Sequence, residues 1–126
     1  MTKLTIAANP TFAANVEIPR AGGGSVRVPV TFKYRNRIEL AELFDRWQAD
    51  AKERFAGVDA DTTLLAVTAA EVDQQVAQLL EVLDSWGFDD PFGEDGVRAL
   101  VLSVRGAAEA VLDAYGAAYR DARQGN

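Results

Sequence analysis

The sequence predicts an α+β protein in which an N-terminal antiparallel β-hairpin or meander is followed by a bundle of three helices. Apolar residues recur at every second position as far as residue 35, and they recur with helical spacing from residue 36 onward. Glycine or proline stands at most boundaries between these stretches. A chain of 126 residues is most simply one domain. We therefore expect a single domain over residues 1–126, with a β region at 1–35 and a helical region at 36–126.

Three runs of alternating residues predict three strands, each with one buried face and one face in water. Their apolar members are Leu4, Ile6 and Ala8 in the first run, Phe12, Ala14, Val16 and Ile18 in the second, and Val26, Val28, Val30, Phe32 and Tyr34 in the third. Pro29 interrupts the third run. Because proline has no N–H to donate, we expect that strand to lie at an edge of the sheet or to be bulged at Pro29.

The loop between the second and third runs contains Gly22, Gly23 and Gly24. Glycine-rich loops can bind phosphate, but no Lys-Ser/Thr pair follows this one and the next element is a strand, so it matches neither common phosphate-binding motif. Glycine adopts positive φ without steric cost, as hairpin loops require. We predict a hairpin loop here.

The first helix is predicted to begin at Asn36, because Glu39 three residues later completes a capping-box pattern. Gly57 is its expected end, and a polar linker follows as far as Thr63. The apolar face between these limits consists of Leu40, Leu43, Phe44, Trp47, Ala51 and Phe55.

The second helix is predicted to begin at Thr68, which with Glu71 forms another capping box, and to end at Gly87. Its apolar stripe is Val72, Val76, Leu79, Leu80, Leu83 and Trp86. Trp86 could stack on a ligand, but an aromatic residue that continues a helical stripe belongs more often to the core, and we expect it there.

Four carboxylates, Asp89, Asp90, Glu94 and Asp95, precede the third helix. They could serve acid–base catalysis or hold a hard cation. Acidic residues at a helix start are also what the helix dipole favours, and no catalytic partner for them can be identified. We assign them to helix initiation, with Gly93 as the N-cap.

The third helix is predicted to begin directly after Gly93, and two faces define it, of which the apolar one is continuous from Val97 to Tyr119. The apolar face consists of Val97, Leu100, Val101, Val104, Ala108, Val111, Leu112, Tyr115 and Tyr119. The second face, called here the small-residue stripe, consists of Ala99, Ser103, Gly106, Ala110, Ala114 and Ala117. Small side chains allow close backbone approach, so we expect another helix on this stripe, either from the same chain or from a partner.

Composition excludes several functions. The chain contains no His and no Cys, which removes imidazole bases, thiol nucleophiles and the usual zinc sites. A formal net charge of −6 argues against nucleic-acid binding, because phosphate contacts need clustered Lys and Arg. No stretch is apolar over the roughly 20 residues that a membrane span needs, and the N-terminus does not resemble an export signal. We therefore expect that the protein has no catalytic residue, metal or cofactor and binds neither nucleic acid nor membrane. We expect it to be located in the cytoplasm.

The order of residue types resembles the tail-assembly chaperones of long-tailed phages and prophages. The features that carry this resemblance are Asn9 to Phe12, Val16 to Pro19, Val30 to Arg37, Trp86 to Phe88, the aromatic and acidic helix start, Ala114-Tyr115, and Ala122-Arg123. They cover nearly the whole chain as a pattern of residue types. The family usually carries Ser or Thr where Gly93 stands and a bulkier residue where Gly96 stands.

The resemblance implies a protein that binds the tape-measure protein, keeps it soluble, helps tail-tube subunits polymerise around it, and is absent from the finished virion. The resemblance implies no catalytic residues. It also implies that the protein is located in the cytoplasm of the bacterial host cell. The expected client-binding residues are the small-residue stripe together with Tyr115 and Tyr119. Self-association is a further possibility.

Two alternatives remain open from the sequence. One is a structural tail or head–tail joining subunit, which would stay in the particle. The other is a small enzyme that uses carboxylates such as Asp89, Asp90 and Glu94 for proton transfer.

Overall fold

A three-stranded antiparallel sheet combines an N-terminal hairpin with a strand from much later in the chain. The structure is a computed structural model, and it describes the backbone of residues 10–124. The strands are β1 (Thr11–Pro19), β2 (Ser25–Lys33) and β3 (Leu83–Trp86), in the order β1-β2-β3. The second and third predicted runs are confirmed as β1 and β2. The first run, with Leu4, Ile6 and Ala8, lies outside the described residues.

The hairpin has the predicted register and turn. β1 and β2 pair without interruption from Thr11 opposite Lys33 to Pro19 opposite Ser25. Gly22, Gly23 and Gly24 all have positive φ in the connecting loop, as the sequence predicts. Alternation therefore directs Val16, Ile18, Val28, Val30 and Phe32 to one buried face.

β3 corrects the prediction that the second helix extends to Trp86. The helix ends at Val82, and the backbone of Leu83 is already extended, with φ −91° and ψ 138°. Leu83 then pairs with Phe32, and Trp86 with Val30. The short apolar run before Trp86 is compatible with a helix or with a strand. It forms a strand here because it pairs with the free edge of β2, which the sequence pattern does not reveal.

The prediction for Pro29 was also wrong, because β2 is the central strand. Its irregularity against β3 lies between Thr31 and Phe32 and not at Pro29. The carbonyl of Pro29 accepts a hydrogen bond from the Gly87 N–H at 2.8 Å, at the point where β3 ends. In an antiparallel sheet, a hydrogen-bonded residue directs its N–H and its C=O to the same neighbouring strand. The N–H that Pro29 lacks would therefore point toward Gly87, which lies just beyond Val30–Trp86, the last pair of the β2–β3 ladder.

The described residues contain four helices: α1 (Arg37–Arg54), α2 (Leu64–Val82), α3 (Glu94–Ser103) and α4 (Ala107–Gln124). The capping box of α1 is confirmed, since Asn36 Oδ1 accepts from the Glu39 N–H and Glu39 Oε1 accepts from the Asn36 N–H, each at 2.9 Å. Phe55, and not Gly57, caps the end of α1.

The start of α2 differs from the prediction. Thr63 is its N-cap, and the Thr63 hydroxyl accepts from the Ala66 N–H at 3.1 Å. Thr68 therefore lies inside the helix, one turn after the residue that caps it. Asp59, Asp61, Thr62 and Thr63 all precede α2, so several residues could serve as the cap by pattern alone.

The predicted continuous third helix is two helices. Gly106 has φ +86°, a left-handed conformation that an α-helix cannot contain, and α3 ends before it at Ser103. The α+β fold class is thus confirmed, while the helices number four among the described residues instead of three. The predicted apolar face is retained on both sides of the break, where Val97, Leu100, Val101, Val111 and Tyr115 are all buried.

The core lies between the sheet and helices α2, α3 and α4. Tyr115 from α4 contacts the ring of Phe32 at a centroid distance of 5.1 Å, and the Tyr115 hydroxyl donates to the carbonyl of Lys33 at 3.0 Å. The Tyr119 hydroxyl accepts from the Arg35 N–H at 3.0 Å. Burial raises the pKa of Tyr119 above its usual value, and its hydrogen bond with Tyr115 acts in the same direction. The last helix is therefore fixed to the first hairpin by apolar and polar contacts.

A candidate partner-binding surface

Three leucines are exposed where the start of α2 meets the end of α3. Leu64 is 81% exposed, Leu65 is 79% exposed and Leu102 is 64% exposed. Single exposed leucines are ordinary on a protein surface, but Leu64 and Leu102 line one groove from two different helices. We call Leu64 and Leu102 the leucine cluster.

A groove of about 550 Å³ runs beside the leucine cluster, between α2, α3 and the first turn of α4. Leu64 and Leu102 line it at exposed positions, while Val101 and Ala108 line it from the core. The other lining residues are Thr68, Glu71, Val72, Gln75, Ser103, Val104, Arg105, Gly106 and Glu109. Gly106, which lies between α3 and α4, brings the turn between these helices into the lining.

A second, smaller cavity of about 220 Å³ lies on the other side of α3. Trp86 and Phe88 form its aromatic wall, with ring centroids 5.0 Å apart, and Ser103 and Val104 line both this cavity and the groove. Trp86 is partly buried, packs against the core and donates from Nε1 to the carbonyl of Asp90 at 2.8 Å. The two depressions thus border a single surface around the end of α3.

The position of Trp86 explains the glycine at residue 96. A Cβ at Gly96 would overlap the carbonyl oxygen of Pro91 and lie 3.0 Å from Cζ2 of Trp86. A bulkier residue at position 96 would therefore displace the loop before α3.

The structure separates the predicted client-binding residues into two groups. Ala99 and Ser103 are exposed on α3 beside the aromatic cavity, and Gly106 lies in the turn after α3. The remaining members on α4 are partly or fully buried: Ala110, Ala114, Ala117, Tyr115 and Tyr119. Ala110 and Ala114 pack against the core, and α4 lies on β1 and α2. The small-residue stripe is therefore not one continuous surface.

Sequence reasoning missed the leucine cluster. Leu64 and Leu65 lie between the predicted linker, which ends at Thr63, and the expected helix start at Thr68, so the sequence pattern assigned them to neither. Leu102 falls on neither of the two faces assigned to the third helix. The available signal was a Leu-Leu pair directly after a polar linker that contains Asp59, Asp61, Thr62 and Thr63.

Charge is distributed unevenly along the chain. The acidic residues between 61 and 113 are Asp61, Glu71, Asp73, Glu81, Asp84, Asp89, Asp90, Glu94, Asp95, Glu109 and Asp113, whereas the basic ones are Arg98 and Arg105. Arg98 is paired with Asp73 at 2.8 Å. Residues 10–60 contain similar numbers of acidic and basic residues. Both depressions therefore lie in the acidic part of the molecule.

The carboxylates that could have served catalysis, Asp89, Asp90 and Glu94, are exposed. Among the described residues, no group of three or more Asp, Glu, His or Cys side chains is placed to hold a metal ion. Within the same part of the chain, every buried side-chain N or O atom has a hydrogen-bond partner. None of the helices described is long and apolar enough to cross a membrane.

Comparison with known proteins adds the family. The model of a family described as phage tail assembly chaperone matches residues 1–126, the whole chain. Neither the curated proteins nor the solved structures gave a match.

Proposed function

The chain belongs to the phage tail assembly chaperone family, and we propose that it binds the tape-measure protein, keeps it soluble and helps recruit tail-tube subunits. The match over the whole chain is the observation that carries this proposal. The family's role is a non-enzymatic one in tail assembly, so the partners are proteins. The protein acts in the cytoplasm of the bacterial host cell and is absent from the mature virion.

The exposed surface around the end of α3 supports a client-binding role. A chaperone of this kind must present apolar surface to its client while remaining folded, and the leucine cluster does so next to two depressions. Ala99 and Ser103 are the members of the small-residue stripe that a client would contact on α3. Tyr115 and Tyr119 position α4, whose first turn completes the groove.

The direct test is co-expression of this chain with the tape-measure protein encoded beside it, followed by a solubility assay and a pull-down. We expect a soluble tape measure that copurifies with this chain. A tape measure that stays insoluble without a bound partner would contradict the proposal. Finding the chain in purified virions would instead favour a structural tail or head–tail joining subunit.

Arginine at Ala99 and Ser103 tests the proposed contact surface, because both side chains are exposed and their replacement leaves the core intact. We expect the double variant to lose client solubilisation and to keep the native unfolding transition. The matched control is arginine at Glu42 and Gln48, which are exposed on α1. Equal activity of the two double variants would place the client elsewhere.

A further inference from the structure

We propose that the groove between α2, α3 and the first turn of α4 binds an amphipathic helical segment whose apolar stripe is flanked by Lys and Arg. This inference rests on the proposed function, because it gives the chemistry of the client that the chaperone holds. It is carried by two independent observations, one of shape and exposure and the other of charge.

The apolar half of the proposal comes from the leucine cluster. Leu64 on α2 and Leu102 on α3 both line the groove and keep most of their surface in water. Covering them with apolar groups would remove that surface from water, which favours association. Val101 and Ala108, both buried, add apolar groups to the lining. A helix with apolar residues at i, i+3, i+4 and i+7 presents a stripe suited to a groove that is itself formed by helices.

The basic half of the proposal comes from the charges around this groove. Glu71 and Glu109 line it at exposed positions from two different helices, and Arg105 is the basic residue among those that line it. Asp90 lines the neighbouring aromatic cavity. Beyond these residues, acidic side chains outnumber basic ones throughout residues 61–113. A partner with Lys and Arg beside its apolar stripe is attracted to such a surface, whereas an acidic partner is repelled.

Three synthetic peptides separate these two contributions. The first is an amphipathic helix of about 18 residues with leucine on one face and lysine on the other. The second replaces every lysine with glutamate, and the third has the first peptide's composition in an order without a helical stripe. Binding of each labelled peptide to the full chain is measured by fluorescence anisotropy at about 50 mM and about 300 mM NaCl. We expect binding of the first peptide alone, weakened at the higher salt concentration.

Variants of the full chain locate the binding. Leu64→Ser with Leu102→Ser should weaken the first peptide by at least about tenfold, which corresponds to about 1.4 kcal/mol. The matched apolar control is Ile38→Ser with Phe44→Ser, two exposed positions on α1. Glu71→Gln with Glu109→Gln should weaken binding and reduce its salt dependence. Its control is Asp45→Asn with Asp50→Asn, which changes the net charge equally at exposed positions on α1.

The possible outcomes are distinct. Equal binding of the scrambled peptide, or equal losses in the control variants, would show non-specific attraction and overturn the proposal. Equal binding of the glutamate peptide would show that the partner needs no Lys or Arg beside its apolar stripe, which would overturn that part of the proposal. Self-association through the groove, lost in the leucine variant, would name a second copy as the occupant and also overturn it. If the leucine variant still solubilises the tape measure, this inference fails while the proposed function stands. If the lysine peptide binds as expected but the tape measure stays insoluble, the proposed function fails.

Discussion

Two glycines in this chain are required by what lies next to them and not by an unusual φ. Gly87 follows β3, and a Cβ there would lie 2.6 Å from Cγ and 2.9 Å from Cδ of Pro29. Gly96 is restricted in the same way by Pro91 and Trp86. Both allow the segment between β3 and α3 to lie close to its neighbours, and this segment forms the wall of the aromatic cavity.

Gly87→Ala is therefore expected to lower the free energy of unfolding by about 1–3 kcal/mol, because the proline ring and the strand must move apart. Gly57→Ala is the control, since a Cβ at Gly57 would meet nothing within 4 Å, and we expect a change within about 0.5 kcal/mol. Urea unfolding followed by circular dichroism measures both. Equal midpoints for the two variants would show that the approach of Gly87 to Pro29 is looser than described.

At the scale of the elements, helix ends decide how the chain is divided. Asn36 begins α1, Thr63 begins α2, and Gly106 separates α3 from α4. Two of these residues also affect the candidate surface, because Thr63 places Leu64 at the first turn of α2 and Gly106 lines the groove.

Thr63→Ala should cost about 1 kcal/mol of stability, since it removes the hydroxyl that accepts the Ala66 N–H. Thr68→Ala should change stability by less than about 0.5 kcal/mol, because Thr68 is exposed within the helix. Chemical denaturation of the two variants compares the capping residues directly. A larger loss at Thr68 would restore the helix start that the sequence pattern predicted.

Two glycine substitutions of the same kind should have opposite signs. Gly106→Ala should destabilise the protein by about 1–2 kcal/mol, because alanine is strained at a φ of +86°. Gly116→Ala should stabilise it by about 0.5–1 kcal/mol, since Gly116 is inside α4 and its added Cβ would meet only the flexible end of Arg120. Thermal unfolding of both variants reads the sign. Stabilisation by Gly106→Ala would argue for one continuous helix.

The sequence was sufficient where local chemistry determines the structure. The alternation in β1 and β2, the glycine loop and the Asn36 capping box all depend on neighbouring residues, and these predictions are confirmed. β3 depends on pairing with a strand about fifty residues earlier, which periodicity cannot show. Gly106 could occupy a helix interior at a cost of about 1 kcal/mol, so its positive φ was not predictable from its type. The leucine cluster was not predicted either, because its exposure depends on where α2 begins and where α3 ends.

At the scale of the whole molecule, the last helix covers the first hairpin. α4 packs on β1, and Tyr115 stacks against Phe12 and contacts Phe32. Tyr115 is only 1% exposed, so it is buried against the face of the sheet that carries Phe12 and Phe32. The candidate surface is formed by α2, α3 and the first turn of α4, and neither of its depressions is lined by Tyr115.

A chain that ends at Ser103 should fail to fold cooperatively, because the sheet would expose Phe12 and Phe32 without α4. We expect no sigmoidal urea transition and strong binding of the dye ANS, which marks exposed apolar surface. A separate peptide of residues 104–126, added in excess, should restore the transition and reduce dye binding. A cooperative transition of the shorter chain alone would show that the sheet and the first three helices form a sufficient core.

The hydrogen bond from Tyr115 to Lys33 joins residues separated by 82 positions. Contacts of such long sequence separation slow folding, since a large loop must close before they form. During synthesis, the hairpin leaves the ribosome long before the helix that covers it has been translated. The newly made protein therefore completes the packing of its hairpin only after α4 has been translated, and until then Phe12 and Phe32 are exposed to aggregation.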